Sequence, residues 1–243
     1  MLILRSLLFN VVLFSTVTVY AILAVLTFPF APLKRYRIIS QWARFHIWLL
    51  KVLCHLDYRV EGAEHLPQQT AIILSKHQST WETLAFQQIF PPQVWVLKRE
   101  LLWVPFFGWG LAMTQPIAID RNARRKAIDQ IVDQGRDRLA TGRWVVVFPE
   151  GTRMAVGQTK RHGIGGAVLA TRTGHPVVPV AHNAGSYWPR RGFIKHPGTI
   201  RIVIGPVIDS HGKTPEEIRQ LAETWIANTM ATLEEKTSAP TVA

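Results

Sequence analysis

The chain has 243 residues, of which 48% are apolar and 18% are charged. This composition allows one domain with an appendage and a sizeable buried core, and it argues against intrinsic disorder. The single cysteine, Cys54, excludes an intramolecular disulfide framework and a zinc site built from several thiolates. The net charge of +12 favours anionic partners, such as nucleic acid, acidic lipid headgroups, phosphorylated substrates or an acidic carrier protein.

The amino-terminal segment is the strongest compositional feature, because no charged residue occurs between Ser6 and Leu33. About 20 apolar residues are enough to cross the core of a bilayer, so the segment is predicted to span a membrane or to embed deeply in it. A cleaved signal peptide is the alternative. It is disfavoured because the apolar run exceeds the usual ~7–15 residues and has no clear small-residue cleavage site.

The next segment is basic and amphipathic. Three basic residues follow the apolar run, namely Lys34, Arg35 and Arg37. If the run spans, the positive-inside bias places the rest of the chain in the cytoplasm. The helix predicted from Arg35 to Leu53 carries Trp42 and Trp48, and it can lie in the headgroup layer of an anionic leaflet or pack into the core. We therefore predict membrane-anchoring helices in residues 1–55 and an α/β domain in residues 56–243.

Beyond residue 55, short strands alternate with helices. The predicted strands are Asp57–Glu61, Ala71–Ser75, Val94–Lys98, Pro116–Ile119, Trp144–Phe148, Val177–Ala181 and Thr199–Ile204. The predicted helices are Trp81–Phe90, Arg124–Thr141, Gly163–Thr173 and Pro215–Glu235. Such alternation is typical of the α/β class. The predicted fold is a mixed, mostly parallel sheet flanked by helices and preceded by a membrane-embedded helical segment.

A first candidate site follows the strand that ends at Ser75. His77 can take a proton near neutral pH, and the carboxylate of Glu82 can hold its other ring nitrogen and fix the tautomer. On an ideal helix, residues at this spacing would lie about 140° apart. We therefore expect His77 in the turn before a helix and Glu82 in its first turn. A solvated helix start is the alternative interpretation.

A second candidate site covers residues 98–121. Arg121 follows a predicted strand, and its guanidinium suits a phosphate because it donates two parallel hydrogen bonds; a surface turn is the alternative. Lys98, Pro105 and Gly108 belong to the same stretch. Residues 103–109 are unusually apolar for a loop, which fits an acyl-chain channel, a membrane-dipping loop or an ordinary core.

A third candidate site follows the apolar strand Trp144–Phe148. Its residues are Glu150, Gly151, Thr152 and Arg153. Gly151 lets the backbone approach a ligand, Arg153 adds a second fork for phosphate, and Glu150 can orient a basic side chain or bind a substrate hydroxyl. Downstream, Lys160 precedes a glycine-rich helix start, and Pro179 must lie at a sheet edge or a bulge.

Taken in order, these motifs resemble the glycerolipid acyltransferase family, and within it the bacterial members that acylate 1-acyl-glycerol-3-phosphate. The resemblance extends from about residue 55 to about residue 210. It rests on the spaced pair His77 and Glu82, on Pro105, Gly108 and Ile119-Asp120-Arg121, on Phe148-Pro149-Glu150-Gly151-Thr152-Arg153, and on Val178-Pro179-Val180.

The resemblance implies a role for each matching residue. It makes His77 the catalytic histidine and Glu82 its carboxylate partner, at a position where most members have Asp. Six residues are implied to bind the glycerol phosphate: Arg121, Glu150, Gly151, Thr152, Arg153 and, less directly, Lys160. Four are implied to be structural or to lie on the acyl side, namely Lys98, Pro105, Gly108 and Pro179.

The implied activity is transfer of a fatty acyl group from acyl carrier protein or coenzyme A to 1-acyl-glycerol-3-phosphate (lysophosphatidic acid), giving phosphatidic acid for phospholipid biosynthesis. The resemblance places the enzyme at the bacterial inner membrane with its catalytic domain facing the cytoplasm, and it implies no metal and no cofactor. Backbone N–H groups near His77 or Gly151 are candidates for stabilising the oxyanion.

Three alternatives are weighed against this interpretation. An acyltransferase for another lysolipid, such as a lyso-aminolipid, uses the same motifs, but the two phosphate-suited arginines favour a phosphate monoester. A non-catalytic membrane lipid-binding protein does not explain the acidic residues and His77 at strand ends. Nucleic acid is not expected as a partner, because the basic residues are spread along the chain rather than clustered on one recognition element.

Overall fold

The computed structural model describes residues 1–123 and 125–238, with side chains described as far as residue 234. Arg124, the predicted first residue of a helix, lies outside the described residues. Within the described part of the chain, seven strands form one sheet in the order β1-β7-β6-β2-β5-β3-β4. Their bounds are β1 Leu56–Glu61, β2 Ile72–Ser75, β3 Gln93–Lys98, β4 Ile117–Ile119, β5 Trp144–Val147, β6 Val177–His182 and β7 Gly198–Ile204.

The sheet is mixed and mostly parallel, as predicted. Neighbouring strands of the described sheet pair in parallel, apart from the antiparallel pair β6 and β7. Strands β2 to β6 therefore run in one direction, and β1 and β7 run in the other. The carboxyl ends of β2, β3, β4, β5 and β6 meet at one edge, which is where ligands bind in open α/β sheets.

Helices cover both faces of this sheet. Their bounds are α1 Leu2–Leu26, α2 Pro32–Cys54, α3 Trp81–Ile89, α4 Phe107–Met113, α5 Arg125–Ala140, α6 Gly165–Thr173, α7 Ala184–Tyr187 and α8 Pro215–Ser238. Short 3-10 turns occupy Ala63–His65, Arg99–Trp103 and Arg121–Ala123. The four helices predicted beyond residue 55 are confirmed, whereas α4 and α7 were not predicted.

The strands are buried on both faces, so the core has two layers. Ile73, Val146 and Val178 pack into one cluster with α2 and α3, while their neighbours Ile72 and Val145 pack into a second cluster with α5, α6 and α8. Successive residues of a strand point to opposite faces, which explains why these strands read as continuous apolar runs in the sequence.

The amino-terminal helices pack against this core. Among the described helices, α1 is the one long and apolar enough to cross a membrane. Phe9 of α1 and Leu50 of α2 are fully buried in the cluster shared with α3 and the sheet. The outer surface of α2 exposes Phe45 and Trp48. Helix α2 therefore packs into the core on one side and leaves an apolar strip free on the other; the division at residue 55 stays a prediction.

A close approach of two helices joins α1 to α4. A Cβ atom added to Gly110 would lie 3.2 Å from the Cα atom of Ala21, so glycine permits this contact. Pro105, Gly108 and Gly110 resemble loop punctuation, and this is why the short helix α4 was not predicted from the sequence. Tertiary packing against α1 overrides the weak local preference.

Pro179 lies inside β6 at an irregularity, as its missing N–H demands. Val180 pairs with Ile204 at the end of β7, and Val177 forms a bridge with Ile208. Two residues of β6 therefore lie opposite three residues of the segment that follows β7, which is a bulge. The prediction that Pro179 needs an edge or a bulge is therefore confirmed. Its ring faces the α8 side of the sheet, where it lies beside Gly205.

Candidate active site

The edge formed by the carboxyl ends of the strands brings the three candidate sites together. His77 follows β2, Arg121 follows β4 after one intervening residue, and Glu150 follows β5. A backbone hydrogen bond of 2.8 Å from the Met154 N–H to the His77 carbonyl joins the loops after β2 and β5. Residues from distant parts of the sequence therefore share one site because their strands run parallel in the same sheet and end at the same edge.

His77 and Glu82 form a hydrogen-bonded pair with the geometry expected from the sequence. Strand β2 ends at Ser75 and α3 begins at Trp81, so His77 lies in the turn and Glu82 in the first helical turn. The distance between His77 Nδ1 and Glu82 Oε1 is 2.8 Å. Because Nδ1 donates to the carboxylate, Nε2 carries the free lone pair and can accept a proton.

The Glu82 carboxylate is fully buried and holds the whole turn. Its Oε1 atom also accepts the N–H groups of Gln78 at 2.8 Å and Ser79 at 2.7 Å. Burial alone would raise the pKa of this carboxyl, but nearby His182 and the hydrogen bond from His77 lower the pKa below its usual value. Glu82 is therefore anionic near neutral pH, and its longer side chain still reaches His77.

The His77 ring is held from the side by an aromatic residue. It stacks on Phe148 with ring centroids 4.0 Å apart and an interplanar angle of 13°. The side chain remains 16% exposed and lines a cavity. Stacking and the Glu82 hydrogen bond together fix the ring orientation and leave one edge accessible to a ligand.

A buried ion pair behind His77 was missed by sequence reasoning. Lys76 Nζ lies 2.5 Å from Glu150 Oε1 and 2.8 Å from the Gln158 carbonyl oxygen. Glu150 Oε2 accepts the backbone N–H of His77 at 3.1 Å. Burial is the largest influence on Glu150 and raises its pKa. Both carboxylate oxygens are thus engaged, which favours the role of orienting a basic side chain over that of contacting a substrate.

A second histidine, His182, also escaped the sequence analysis. It is fully buried at the end of β6, and its Nε2 atom donates a hydrogen bond to the Lys76 carbonyl at 2.9 Å. The same atom lies 4.0 Å from Glu82 Oε1. Burial is the main cause that lowers the pKa of His182, and the Glu82 carboxylate acts in the opposite direction. The only available signal was a histidine ending an apolar strand.

The backbone N–H groups proposed for the oxyanion are already engaged. The His77 N–H donates to Glu150, and those of Gln78 and Ser79 donate to Glu82. The Gly151 N–H donates to the Phe148 carbonyl at 2.9 Å. Any of these four groups would have to leave its present partner to bind an oxyanion, so the oxyanion-stabilising groups stay a prediction.

Arg121 and Arg153 both lie at this edge of the sheet. Arg121 donates from Nη1 to the Gly151 carbonyl and lines the same cavity as His77. Arg153 Nη1 donates to Thr80 Oγ1 at 2.7 Å, beside the start of α3. Burial lowers the pKa of Arg121, which remains a cation at neutral pH. A third guanidinium, that of Arg190, donates to the Arg153 carbonyl at 3.0 Å and was not predicted.

Gly151 satisfies a backbone requirement. Its φ is +71°, in the left-handed region that glycine adopts without strain, and an added Cβ would meet no described atom within 4 Å. The neighbouring residue, Thr152, is partly buried in the same loop. The conformation of the loop, rather than crowding by the protein, is what requires glycine here.

The other predicted residues are more peripheral. Lys98 pairs with Glu100 at 3.4 Å. An added Cβ at Gly108 would lie 2.3 Å from the Leu102 carbonyl oxygen, so this glycine is structural, and Pro105 precedes it in the same turn. Lys160 is exposed and lines a second cavity of about 140 Å³ on the α8 side of the Lys76–Glu150 pair.

The cavity at His77 has a volume of about 270 Å³. The polar end of its wall is formed by the side chains of His77 and Arg121 and by Gly151. The rest of its wall is mainly apolar and comes from several elements: Val17, Tyr20, Ala21 and Ala24 of α1, Ile39 and Trp42 of α2, Leu84 of α3, Trp95, Val96 and Leu97 of β3, and Phe107, Gly110 and Leu111 of α4. Such a cavity can hold a hydrocarbon chain with its polar end at His77.

Among the described residues, no group of three or more His, Cys, Asp or Glu side chains is placed to hold a metal ion. The described site combines an oriented imidazole, a buried carboxylate and guanidinium cations beside an apolar cavity. This set can remove a proton from a hydroxyl and bind an anion.

Comparison with known proteins gives the same picture. Residues 57–183 match the model of the acyltransferase family. The chain is 48% identical over 232 residues to the 1-acyl-sn-glycerol-3-phosphate acyltransferase of Pseudomonas aeruginosa, which covers 93% of this chain and 90% of that protein. It is 30% identical to the enzyme of the same name from Saccharomyces cerevisiae, over 84% of this chain and 69% of that protein.

The fold also matches a solved structure. The crystal structure of the 1-acyl-sn-glycerophosphate acyltransferase of Thermotoga maritima superposes with a TM-score of 0.79 over 100% of this chain and 98% of that one, at 20% identity. The region that the family model matches, residues 57–183, runs from β1 to the end of β6 and contains His77, Glu82, Arg121 and Arg153. This chain belongs to the acyltransferase family.

Proposed function

We propose that the protein transfers a fatty acyl group from a thioester donor, acyl carrier protein or coenzyme A, to the free hydroxyl of 1-acyl-glycerol-3-phosphate, giving phosphatidic acid. The observation that carries this proposal is the His77–Glu82 pair at the polar end of an apolar cavity whose wall also includes Arg121. The names of the relatives from Pseudomonas and Saccharomyces support the same acceptor.

The chemical step follows from the orientation of His77. Nε2 takes the proton of the acceptor hydroxyl while that oxygen attacks the carbonyl carbon of the thioester. The tetrahedral intermediate then expels the thiolate, which takes the proton from the imidazolium. Glu82 stabilises the imidazolium through the 2.8 Å hydrogen bond at Nδ1. No acyl-enzyme is required, because a thioester is already activated.

The acceptor is held by its phosphate. Arg121 contacts the loop after β5, Arg153 belongs to that loop, and Arg190 contacts the same loop. Guanidinium forks bind phosphate oxygens in pairs, so they fix the orientation of the glycerol as well as its charge. We propose that this orientation places the hydroxyl at His77 Nε2 and turns binding energy into a rate advantage.

The apolar cavity holds an acyl chain in this proposal. Its wall is built partly by α1, whose Ser6, Phe9, Ala21 and Ala24 are buried against the rest of the protein. These contacts extend along nearly the whole helix, which favours an α1 that lies along the domain in one leaflet over one that leaves the domain to span the bilayer. Exposed Lys34 then faces anionic headgroups. The bacterial inner membrane and a cytoplasmic catalytic domain are parts of this proposal.

The test is an assay of purified protein with lysophosphatidic acid and each donor in turn, with the product identified by mass spectrometry. We expect phosphatidic acid from wild-type protein and little from the matched His77→Ala variant. Acylation of a lyso-aminolipid in preference to lysophosphatidic acid would identify the acceptor as another lysolipid. Lipid binding without any acyl transfer would favour a non-catalytic lipid-binding protein.

A further inference from the structure

The segment from Leu101 to Trp109 exposes an unusual set of large apolar side chains. Six of them are between 38% and 67% exposed, namely Leu101, Trp103, Val104, Phe106, Phe107 and Trp109. Scattered exposed apolar residues are ordinary, but a contiguous group of this kind marks an interaction surface. We call this group the aromatic segment.

The structure separates the three interpretations that the sequence left open for this segment. Its exposure excludes an ordinary core. Leu101 and Phe107 line the cavity and fit the acyl-channel interpretation, but Trp103 is 67% exposed and Trp109 is 49% exposed. The two tryptophans are therefore available to an external partner.

The aromatic segment continues the exposed apolar surface of α1. Helix α4, which begins within the segment, packs on α1 where Gly110 meets Ala21. In the same half of α1, Ile22 and Leu26 are exposed. Two neighbouring elements therefore present apolar side chains next to one cavity, and one of them is the helix long and apolar enough for a membrane.

One basic side chain, that of Arg99, borders the aromatic segment. The guanidinium of Arg99 lies 5.9 Å from the centre of the Trp103 ring and also pairs with Asp120 at 2.9 Å. Tryptophan beside basic residues suits the boundary between acyl chains and anionic headgroups, because the indole has an apolar body and a polar N–H. A protein partner is less suited to a surface continuous with a lipid-facing helix.

We propose that the aromatic segment inserts into an anionic lipid leaflet as a membrane contact additional to α1, with Trp103 and Trp109 at the boundary between headgroups and acyl chains. This contact holds the α1–α4 side of the cavity at the bilayer surface, where an acyl chain can pass from lipid to protein. The inference deepens the membrane attachment in the proposed function, but its decisive measurement does not require activity.

The test measures the depth of a single label. In a Cys54→Ala background, Trp109→Cys carries an environment-sensitive fluorophore, and Leu221→Cys on α8 is the matched control with 47% exposure. Vesicles of phosphatidylethanolamine and phosphatidylglycerol contain nitroxide quenchers at known depths. We expect a blue-shifted emission and quenching by shallow nitroxides for Trp109→Cys alone. Equal quenching of both labels by aqueous iodide, with no quenching by lipid nitroxides, overturns the proposal.

A second arm uses function. The double variant Trp103→Ser/Trp109→Ser leaves Leu101 and Phe107, which line the cavity, unchanged. We expect vesicle affinity to fall by about tenfold or more, because two large apolar side chains no longer leave water. Activity on acceptor embedded in vesicles should fall, while activity on a monomeric short-chain acceptor stays near wild type; Leu221→Ser should change neither.

The outcomes of the two arms are distinguishable. Unchanged vesicle affinity in the double variant contradicts the proposed insertion. If wild-type protein acylates neither acceptor, the proposed function fails, whereas the depth of the Trp109 label still decides the membrane contact.

Discussion

At the scale of single residues, His77 performs the proton transfer in the proposed mechanism. We expect His77→Ala to lower kcat about 10²–10⁴-fold, because a positioned general base acts only in the chemical step. The fold and membrane association should be unchanged, because His77 lies in the turn before α3 and its ring contacts mainly two side chains, those of Phe148 and Glu82. Initial rates and thermal unfolding check this, with the exposed His211→Ala as control. Turnover near the wild-type level in a folded His77→Ala protein removes His77 from the mechanism.

Glu82 offers a second test, because two substitutions separate the effect of its negative charge from the effect of its side-chain length. Glu82→Gln keeps the length but loses the charge that stabilises the imidazolium, so we expect kcat to fall by roughly 10–10³-fold. Glu82→Asp keeps the charge but shortens the side chain whose Oε1 accepts three hydrogen bonds. We expect it to retain more activity than Glu82→Gln. Steady-state kinetics of both variants measure the order; the reverse order would show that geometry outweighs charge.

The arginines of the site are tested through KM. We expect Arg121→Ala and Arg153→Ala each to raise KM for lysophosphatidic acid, and to lower kcat where the phosphate orients the hydroxyl. Lysine at either position keeps the charge but loses the fork, and should restore activity in part. Kinetics against lysophosphatidic acid provide the measurement, with the half-exposed Arg172→Ala as control. If both variants bind and turn over this acceptor normally, the phosphate site lies elsewhere.

The sequence predicted the central pair and missed its supports for a physical reason. The order of β2, turn and α3 determines the separation of His77 and Glu82, so local pattern was sufficient. The local pattern gives no sign that Lys76 is buried, because its burial depends on Glu150, which lies far away in sequence. The same holds for His182, whose hydrogen bond to the Lys76 carbonyl forms only when β6 pairs with β2.

At the scale of elements, a buried lysine joins α1 to the loop before β7. Lys195 Nζ lies 2.6 Å from Asn10 Oδ1 and 4.7 Å from the Trp188 ring centre. Burial lowers the pKa of this ammonium from 10.5 to about 8. Between these pH values the unfolded chain binds more protons than the folded protein, so stability rises with pH across that window.

This linkage gives a prediction for the docking of α1. We expect the apparent Tm of the wild-type protein to gain about 2–4 °C relative to Lys195→Met between pH 8 and pH 10. Scanning calorimetry of both proteins in the same detergent measures the difference. The comparison is repeated in a Cys54→Ala background, because Lys195 and the Cys54 thiol each shift the other's pKa and the loss of Lys195 alone would change the titration of Cys54. Parallel pH profiles would contradict the assigned shift.

Helices that depend on packing were the elements least visible in the sequence. The seven strands and the four longer helices beyond residue 55 have clear periodicity and were predicted, whereas α4 and α7 are short. Helix α4 contains Gly108 and Gly110 and forms against α1. Its role as part of the cavity wall could not be predicted without knowing that α1 lies beside it.

At the scale of the whole molecule, the amino-terminal segment belongs to the active site as well as to the membrane attachment. Deleting residues 1–33 would remove the wall formed by Val17, Tyr20, Ala21 and Ala24, and would uncover the surface that buries Phe9. We therefore expect the truncated protein to lose activity on monomeric short-chain acceptor as well as on vesicle-embedded acceptor.

The truncated protein is compared with a variant in which only the attachment of α1 to the membrane is changed. Phe14→Ser/Leu26→Ser alters two side chains that are among the most exposed on α1 and leaves the cavity wall in place. It should weaken vesicle binding while keeping activity on the monomeric acceptor. Vesicle co-sedimentation and both assays test the pair of proteins. Full activity of the truncated protein on short-chain acceptor would show that α1 is dispensable for catalysis.

The two sides of α1 are also subject to different selection. Its outward side needs only to be apolar, so Leu, Ile, Val and Phe should replace one another freely there. Its inward side must match the shapes of α4 and the cavity, and Ala21 faces a glycine with almost no space between the backbones. A saturation library of α1 scored by growth of cells that depend on this enzyme should therefore show tolerance rising and falling with the helical period of about 3.6 residues.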